Sequence, residues 1–182
     1  MLREVDFNDS SVNHEELKKI YNSAFSEDEQ WLPYDQFIHI GEFMKADLVA
    51  YYDKDILVAL SMIFPFPKFT FGCYLAVKEE LRNKGYGKKI FEGILSKYGK
   101  DHLPFIIGFL SPFQKDAPDL EIKKRRYDFF LRNGMKDTGV AFTDSTGTYV
   151  ALSSSNEPFT EKEREEIFAN ITSACEKCIA RK

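Results

Sequence analysis

Cysteine and long apolar runs are scarce in this 182-residue chain, and each scarcity excludes something. Three cysteines are too few for a disulfide framework, which fits a reducing, intracellular compartment. Cys175 and Cys178 form a C-x-x-C pair, but no second pair completes a zinc site. At helical spacing they share a face with Ile171, so they read as buried packing, and no metal is expected. No apolar stretch approaches the roughly 20 residues that span a bilayer. Met1–Ser10 is charged and holds no apolar segment of the secretory kind, so the expectation is a cytoplasmic protein. Charge of one sign is also lacking: 25 Lys and Arg against 29 Asp and Glu leave a net charge of -4. That balance offers no electrostatic reason for a nucleic-acid or anionic-membrane partner.

What is present is ordinary for a single folded domain, with 43% hydrophobic and 30% charged residues. Seventeen Phe and nine Tyr make a heavy aromatic load that belongs mostly in a core. Leu2–Phe7 reads as a first strand. Asn13–Phe25 reads as a helix opened by an Asn13/Glu16 capping box, and Trp31–Met44 as an aromatic, partly helical stretch. Ala46–Tyr52, Ile56–Phe64 and Phe69–Val77 read as strands, the last two parted by Phe64-Pro-Phe-Pro-Lys68. Helical periodicity follows over Gly85–Tyr98 and Leu120–Asn133, with Phe105–Leu110 a strand between them. Strands near Thr138–Phe142 and Thr148–Leu152 flank a turn at 144–147, and a last helix starts at a Thr160/Glu163 capping box. The order predicts an α/β fold, one mixed sheet flanked on both sides by helices, with a parallel unit over Phe69–Leu110.

The informative stretch runs from Cys73 to Tyr98: an apolar strand, a basic glycine-containing loop, then an amphipathic helix. Free N–H groups at a helix start, together with the positive end of its dipole, make an anion site. Gly85 and Gly87 allow the backbone to approach phosphate oxygens, and Arg82, Lys84, Lys88 and Lys89 raise the local potential. A P-loop is excluded, because no glycine lies five residues before Gly85 or Gly87 and no Ser or Thr follows the lysine. A dinucleotide fingerprint is excluded because Ile90 stands where its third glycine belongs.

Arg82-Asn-Lys-Gly-Tyr-Gly87 resembles the [QR]-x-x-G-x-[GA] acyl-CoA loop of the GNAT acetyltransferase superfamily. Arg125-Arg-Tyr-Asp-Phe-Phe-Leu-Arg-Asn-Gly-Met135 resembles that family's later R-x-x-F-Y-x-x-x-G-F element. The resemblance implies a GNAT-like domain over residues 1–152, with 153–182 a C-terminal helix packed on it that extends past the family core and offers a dimer contact. It implies acetyl-CoA as acyl donor and a primary amine of a small molecule or peptide as acceptor. The main chain of Leu75, Ala76 and Val77 would pair with the pantetheine arm. Arg82, Asn83, Lys84, Gly85, Tyr86, Gly87 and Lys88 would hold the pyrophosphate, and strands Phe69–Val77 and Phe105–Leu110 would splay to admit the thioester.

Two departures stand beside the resemblance. Where the family often carries a Tyr that protonates the leaving thiolate, this chain has Phe130, and Tyr127, one helical turn earlier, is the candidate substitute. Where some relatives carry a glutamate base, the aligned residue is Phe71. Asp35, His39 and Glu42 are candidates to take the amine proton through water, and Trp31, Tyr34, Phe37, Phe64 and Phe66 could either cage an ammonium or pack the core. The alternative reading is an acyl-CoA-binding domain of weak catalytic power.

Overall fold

The computed structural model describes residues 2–99, 103–110, 112, 119–143 and 148–181. Its strands are β1 (Arg3–Asp6), β2 (Asp47–Asp53), β3 (Ile56–Pro65), β4 (Thr70–Val77), β5 (Phe105–Leu110), β6 (Lys136–Thr143) and β7 (Thr148–Ser153). Its helices are α1 (His14–Ala24), α2 (Tyr34–Phe37), α3 (Tyr86–Tyr98), α4 (Leu120–Arg132) and α5 (Glu161–Ala180). All seven strands join one sheet in the order β1-β2-β3-β4-β5-β7-β6. β4 and β5 pair in parallel, and every other neighbouring pair is antiparallel.

The apolar runs of β2 and β3 are buried nearly throughout because helices cover both faces of the sheet. On one face Leu17, Ile20 and Tyr21 of α1, Tyr34 and Phe37 of α2, and Ile167, Ile171, Ala174, Cys175 and Cys178 of α5 pack into a common core. On the other, Ile90, Phe91 and Ile94 of α3 pack with Phe130 of α4. The C-x-x-C cysteines thus lie on the buried stripe of α5. Tyr34, Phe37 and Phe64 are core residues, while Trp31 packs on Phe168 and Phe66 stacks on Phe69 at centroid distances of 5.3 and 4.8 Å. Their rings serve packing.

Local chemistry sets the helix ends. The Asn13 side chain accepts from the Glu16 amide at 3.1 Å, but the box closes only halfway, because Glu16 pairs with Lys78 at 3.0 Å. At α5 both halves form, and the Thr160 amide donates to Glu163 at 2.7 Å. α4 stops at Gly134, whose φ of 90° is the left-handed region. The aromatic stretch after α1 is less helical than its composition suggests. Only Tyr34–Phe37 is α-helix, with single 3₁₀ turns at Glu27–Glu29 and Ile40–Glu42. β6 starts earlier than expected, at Lys136, because that residue already pairs with Ser153. Among the described residues, no helix is long and apolar enough to cross a membrane. The turn at 144–147 lies outside the described residues.

The feature that positions a site is the parting of β4 from β5. The two strands pair only over Thr70–Gly72 and Phe105–Ile107. Register with β3 passes from Gly72 to Tyr74, so Cys73 is an extra residue, a bulge that bends β4. Glycines make the junction possible. A Cβ on Gly72 would lie 2.7 Å from Ile107 and from the Phe105 ring, and one on Gly108 would lie 2.5 Å from the Phe71 ring. Phe71 is wholly buried in that packing. Beyond Gly72 the strand runs on to Val77 with β3 on one side and, among the described residues, no pairing to β5 on the other.

Candidate acyl-donor site

Just past Val77 the chain makes one 3₁₀ turn at Glu79–Leu81 and enters the glycine loop. Asn83 and Gly85 take positive φ, 62° and 85°, the left-handed region from which anion-binding loops are built. Gly85 is the N-cap of α3, with no side-chain cap and no acidic residue in the first turn. α1 and α5 differ on both counts: each has acidic residues in its first turn and hydrogen bonds to its cap residue. Lys89 is the first amide to bond back into α3, to the Gly85 carbonyl at 3.1 Å, so the amides of Tyr86, Gly87 and Lys88 have no intrahelical acceptor. Two side-chain hydrogen bonds tie the loop to its surroundings. Arg82 Nε donates to the Val77 carbonyl at 3.2 Å, and the Tyr86 hydroxyl donates to Asp53 at 2.8 Å in the β2–β3 turn.

Gly85, Gly87 and Lys88 of this helix start line a cavity of about 600 Å³. One wall is Leu75, Ala76 and Val77 of β4 with the loop residues Leu81, Arg82, Asn83, Gly85, Gly87 and Lys88. A second wall is one face of α4, with Ile122, Arg125, Arg126, Phe129 and Phe130 at helical spacing. A third is the end of α1 and the segment after it, Asn22–Ser26 with Glu29. Gly87 needs neither a positive φ nor the absence of a Cβ for the protein's own packing. An added Cβ would meet Phe129 and Val77 at 3.6 Å, ordinary contact distance, so what a side chain there takes up is cavity space.

An ion pair closes the third wall onto the second. Arg126 bonds Glu29 at 2.5 Å and the Ala24 carbonyl at 2.8 Å, and its guanidinium lies 5.1 Å from the Phe25 ring centroid. The other Glu29 oxygen accepts from the Ser26 amide and hydroxyl, both at 3.2 Å. One turn earlier on α4, Lys123, only 3% exposed, pairs with Asp119 at 3.2 Å and with Asp28 at 3.7 Å. Tyr74 of β4 secures the same segment, donating to the Glu29 carbonyl and accepting from the Trp31 amide, each at 2.9 Å.

Residues 14–117, more than half of the chain, match the model of the acetyltransferase (GNAT) family. The chain belongs to this family. Solved structures share the fold at low identity. A GNAT-family acetyltransferase from Bacteroides thetaiotaomicron gives a TM-score of 0.69 at 18% identity, over 94% of this chain and 96% of its own. An aminoglycoside 6′-N-acetyltransferase complexed with coenzyme A gives 0.65 at 13%, over 88% and 99%. A GNAT acetyltransferase from Elizabethkingia anophelis with acetyl-CoA bound gives 0.56 at 11%, over 84% and 96%. No curated protein sequence matches the chain.

Within this GNAT fold the structure brings together most of the expected donor-side residues: Leu75, Ala76, Val77, Arg82, Asn83, Gly85, Gly87 and Lys88 all line the one cavity. Lys84 and Tyr86 belong to the loop but are not among the lining residues, and Tyr86 turns its hydroxyl to Asp53 instead. Phe130 does face the cavity while 4% exposed. Tyr127 does not line it. Its hydroxyl donates to Asp137 at 2.9 Å, and burial followed by that hydrogen bond pushes its pKa up to about 12. Tyr127, the candidate substitute donor, thus turns its hydroxyl toward Asp137 of β6. Asp35, His39 and Glu42 are not among the lining residues either; Asp35 pairs with Lys18, and His39 contacts Glu42 at 3.1 Å. The sequence reading did not single out Asn22, Ser23, Glu29 or Arg126, although Glu29 falls in the segment Ser26–Met44 expected to shape the acceptor side. For Glu29 a signal existed, since Ser26-Glu-Asp-Glu29 is the same S/T-x-x-E pattern as Thr160–Glu163.

Proposed function

We propose that the protein transfers the acetyl group of acetyl-CoA to a primary amine of a small molecule or peptide. The observation that carries this reading is the continuity of the β4 edge left by β5 with the uncapped, acid-free start of α3, in one cavity. The donor would fit that shape, its pyrophosphate on the amides of Asn83–Lys88 and its pantetheine arm along Leu75–Val77. When bound, it supplies an activated acetyl thioester. Arg82 and Lys88 offset phosphate charge, while Leu75, Val77, Leu81, Phe129 and Phe130 exclude water from the arm.

The protein's share of the chemistry is then chiefly orientation. Holding amine and thioester in contact can lower a barrier by roughly 7–11 kcal/mol without a dedicated acid or base. The amine, whose free pKa is near 10.4, must still lose a proton. Glu29 and Asp119 are the carboxylates lining the cavity among the described residues, and both are engaged by cations, so water carries that proton. The departing thiolate finds no phenol at Phe130. Tyr127, the one tyrosine on α4, would have to exchange Asp137 for the sulfur before it could donate.

The test is titration calorimetry with coenzyme A on the wild type and on Gly87→Asp, joined to a thiol-release assay with acetyl-CoA and an amine panel. Micromolar binding is expected in the wild type and none in the variant, because the new carboxylate fills cavity space and repels phosphate. Equal affinity in the two proteins would remove the loop from the donor site. Binding without thiol release from any amine would favour the weakly catalytic acyl-CoA-binding reading, which the absence of a phenol at position 130 supports.

A further inference from the structure

The cavity carries more positive charge than a pyrophosphate on the loop accounts for. Among the described residues its charged lining is Arg82, Lys88, Arg125 and Arg126 against Glu29 and Asp119, in a chain whose net charge is -4. The two carboxylates are already spent, Glu29 on Arg126 and Asp119 on Lys123. Arg82 and Lys88 flank the start of α3, where the free amides are. That leaves Arg125. It is exposed, it stands on the cavity face of α4, and it has no ion pair among the described residues.

Position separates Arg125 from the amide cradle. Phe129 is the α4 residue that lies against Gly87, and Arg125 is one helical turn before it. Arg126, its neighbour, points inward to Glu29 and Ala24. An unpaired guanidinium one turn away from a phosphate cradle suits a second phosphate on the same ligand, since its planar fork matches phosphate oxygens in pairs. Coenzyme A carries such a group on its ribose. We propose that Arg125 binds the 3′-phosphate of the donor's adenosine, so the protein reads the donor at two phosphate positions and discriminates against dephospho-coenzyme A. This rests on the reading of the cavity as a coenzyme A site.

Calorimetry with coenzyme A and with dephospho-coenzyme A, on the wild type, Arg125→Gln and the control Arg132→Gln, separates the two ideas. Arg132 is an exposed α4 residue that is not among those lining the cavity. The wild type should bind coenzyme A about tenfold more tightly than the dephospho form, and Arg125→Gln should lose that preference through weaker coenzyme A binding alone. Affinity for the dephospho form should stay within about twofold, and Arg132→Gln should match the wild type. Equal wild-type affinity for the two ligands would overturn the proposal, as would equal weakening of both by Arg125→Gln, which would point instead to the shared part of the ligand. Failure of the wild type to bind either ligand would overturn the donor-site reading itself.

Discussion

The Glu29–Arg126 pair offers the sharpest test of how the cavity is built, because it ties two walls separated by 97 positions in sequence. Glu29 is 7% and Arg126 20% exposed in their side chains, so both charges are largely desolvated. Removing one partner of a buried pair costs about 3–5 kcal/mol, and the partial exposure of Arg126 brings the expectation for Arg126→Ala to about 2–3 kcal/mol. That change leaves the Glu29 carboxylate with only its Ser26 bonds and strips the Ala24 carbonyl of its donor. Glu29→Gln keeps shape and an acceptor oxygen, so about 1 kcal/mol is expected. For a chain of this size each kcal/mol lowers the melting temperature by roughly 2–4 °C, which puts Arg126→Ala roughly 4–12 °C below wild type. Urea unfolding of both single variants and the double variant gives the coupling directly. It should be about 1 kcal/mol, since the second change acts on a partner already lost. Strict additivity, or an Arg126→Ala melting temperature equal to wild type, would show that the segment from Ala24 to Glu29 is held by other contacts and that the pair is ornamental.

Phe130→Tyr places a phenol on the cavity wall where the ring already packs edge-on to Phe91 and Phe129, each at 5.2 Å between centroids. Turnover should rise with the melting temperature within about 2 °C of wild type. A lower melting temperature without a gain in rate would mean the hydroxyl is buried unpartnered, at a cost of about 1–3 kcal/mol, and that Phe130 does not face the thioester. At alkaline pH the chain should unfold cooperatively between about pH 10 and 12. Burial holds the hydroxyls of Tyr21, Tyr34, Tyr74 and Tyr98 above their usual range and pushes Tyr51 up to about 12. These groups ionise near 10 when unfolded, so their stabilising effect is complete below that pH and is lost as pH rises through the folded values. Tyrosinate absorbance and circular dichroism should change together; tyrosinate appearing well before the loss of helix would contradict the burial.

What could be read from the sequence is what local chemistry dictates. The strand-loop-helix of the donor site was legible because a glycine pair, a basic loop and a helical apolar period occur within one short stretch, Cys73–Tyr98. The Thr160/Glu163 box was legible for the same reason. The third wall was not, and the physics is clear in three places. Ser26–Glu29 carries a capping signature, but only a 3₁₀ turn follows it, with no apolar period to mark it as a helix start. Asn22 and Ser23 lie on α1 opposite its buried Leu17, Ile20 and Tyr21 stripe, where a polar residue reads as plain solvent surface. Lys123 reads as one more solvated cation in Lys123-Lys-Arg-Arg126, yet it is among the most buried charged groups described, because Asp28 and Asp119 converge on it from two different segments. Glu29 and Lys123 acquire their roles from partners that the fold brings in from distant segments. β4 must first bend at Cys73 and part from β5 before there is a cleft for α4 and the end of α1 to face across. A charge pair across such a cleft leaves no periodic trace in either segment, so the donor side of the site is written locally and its opposite wall only in three dimensions.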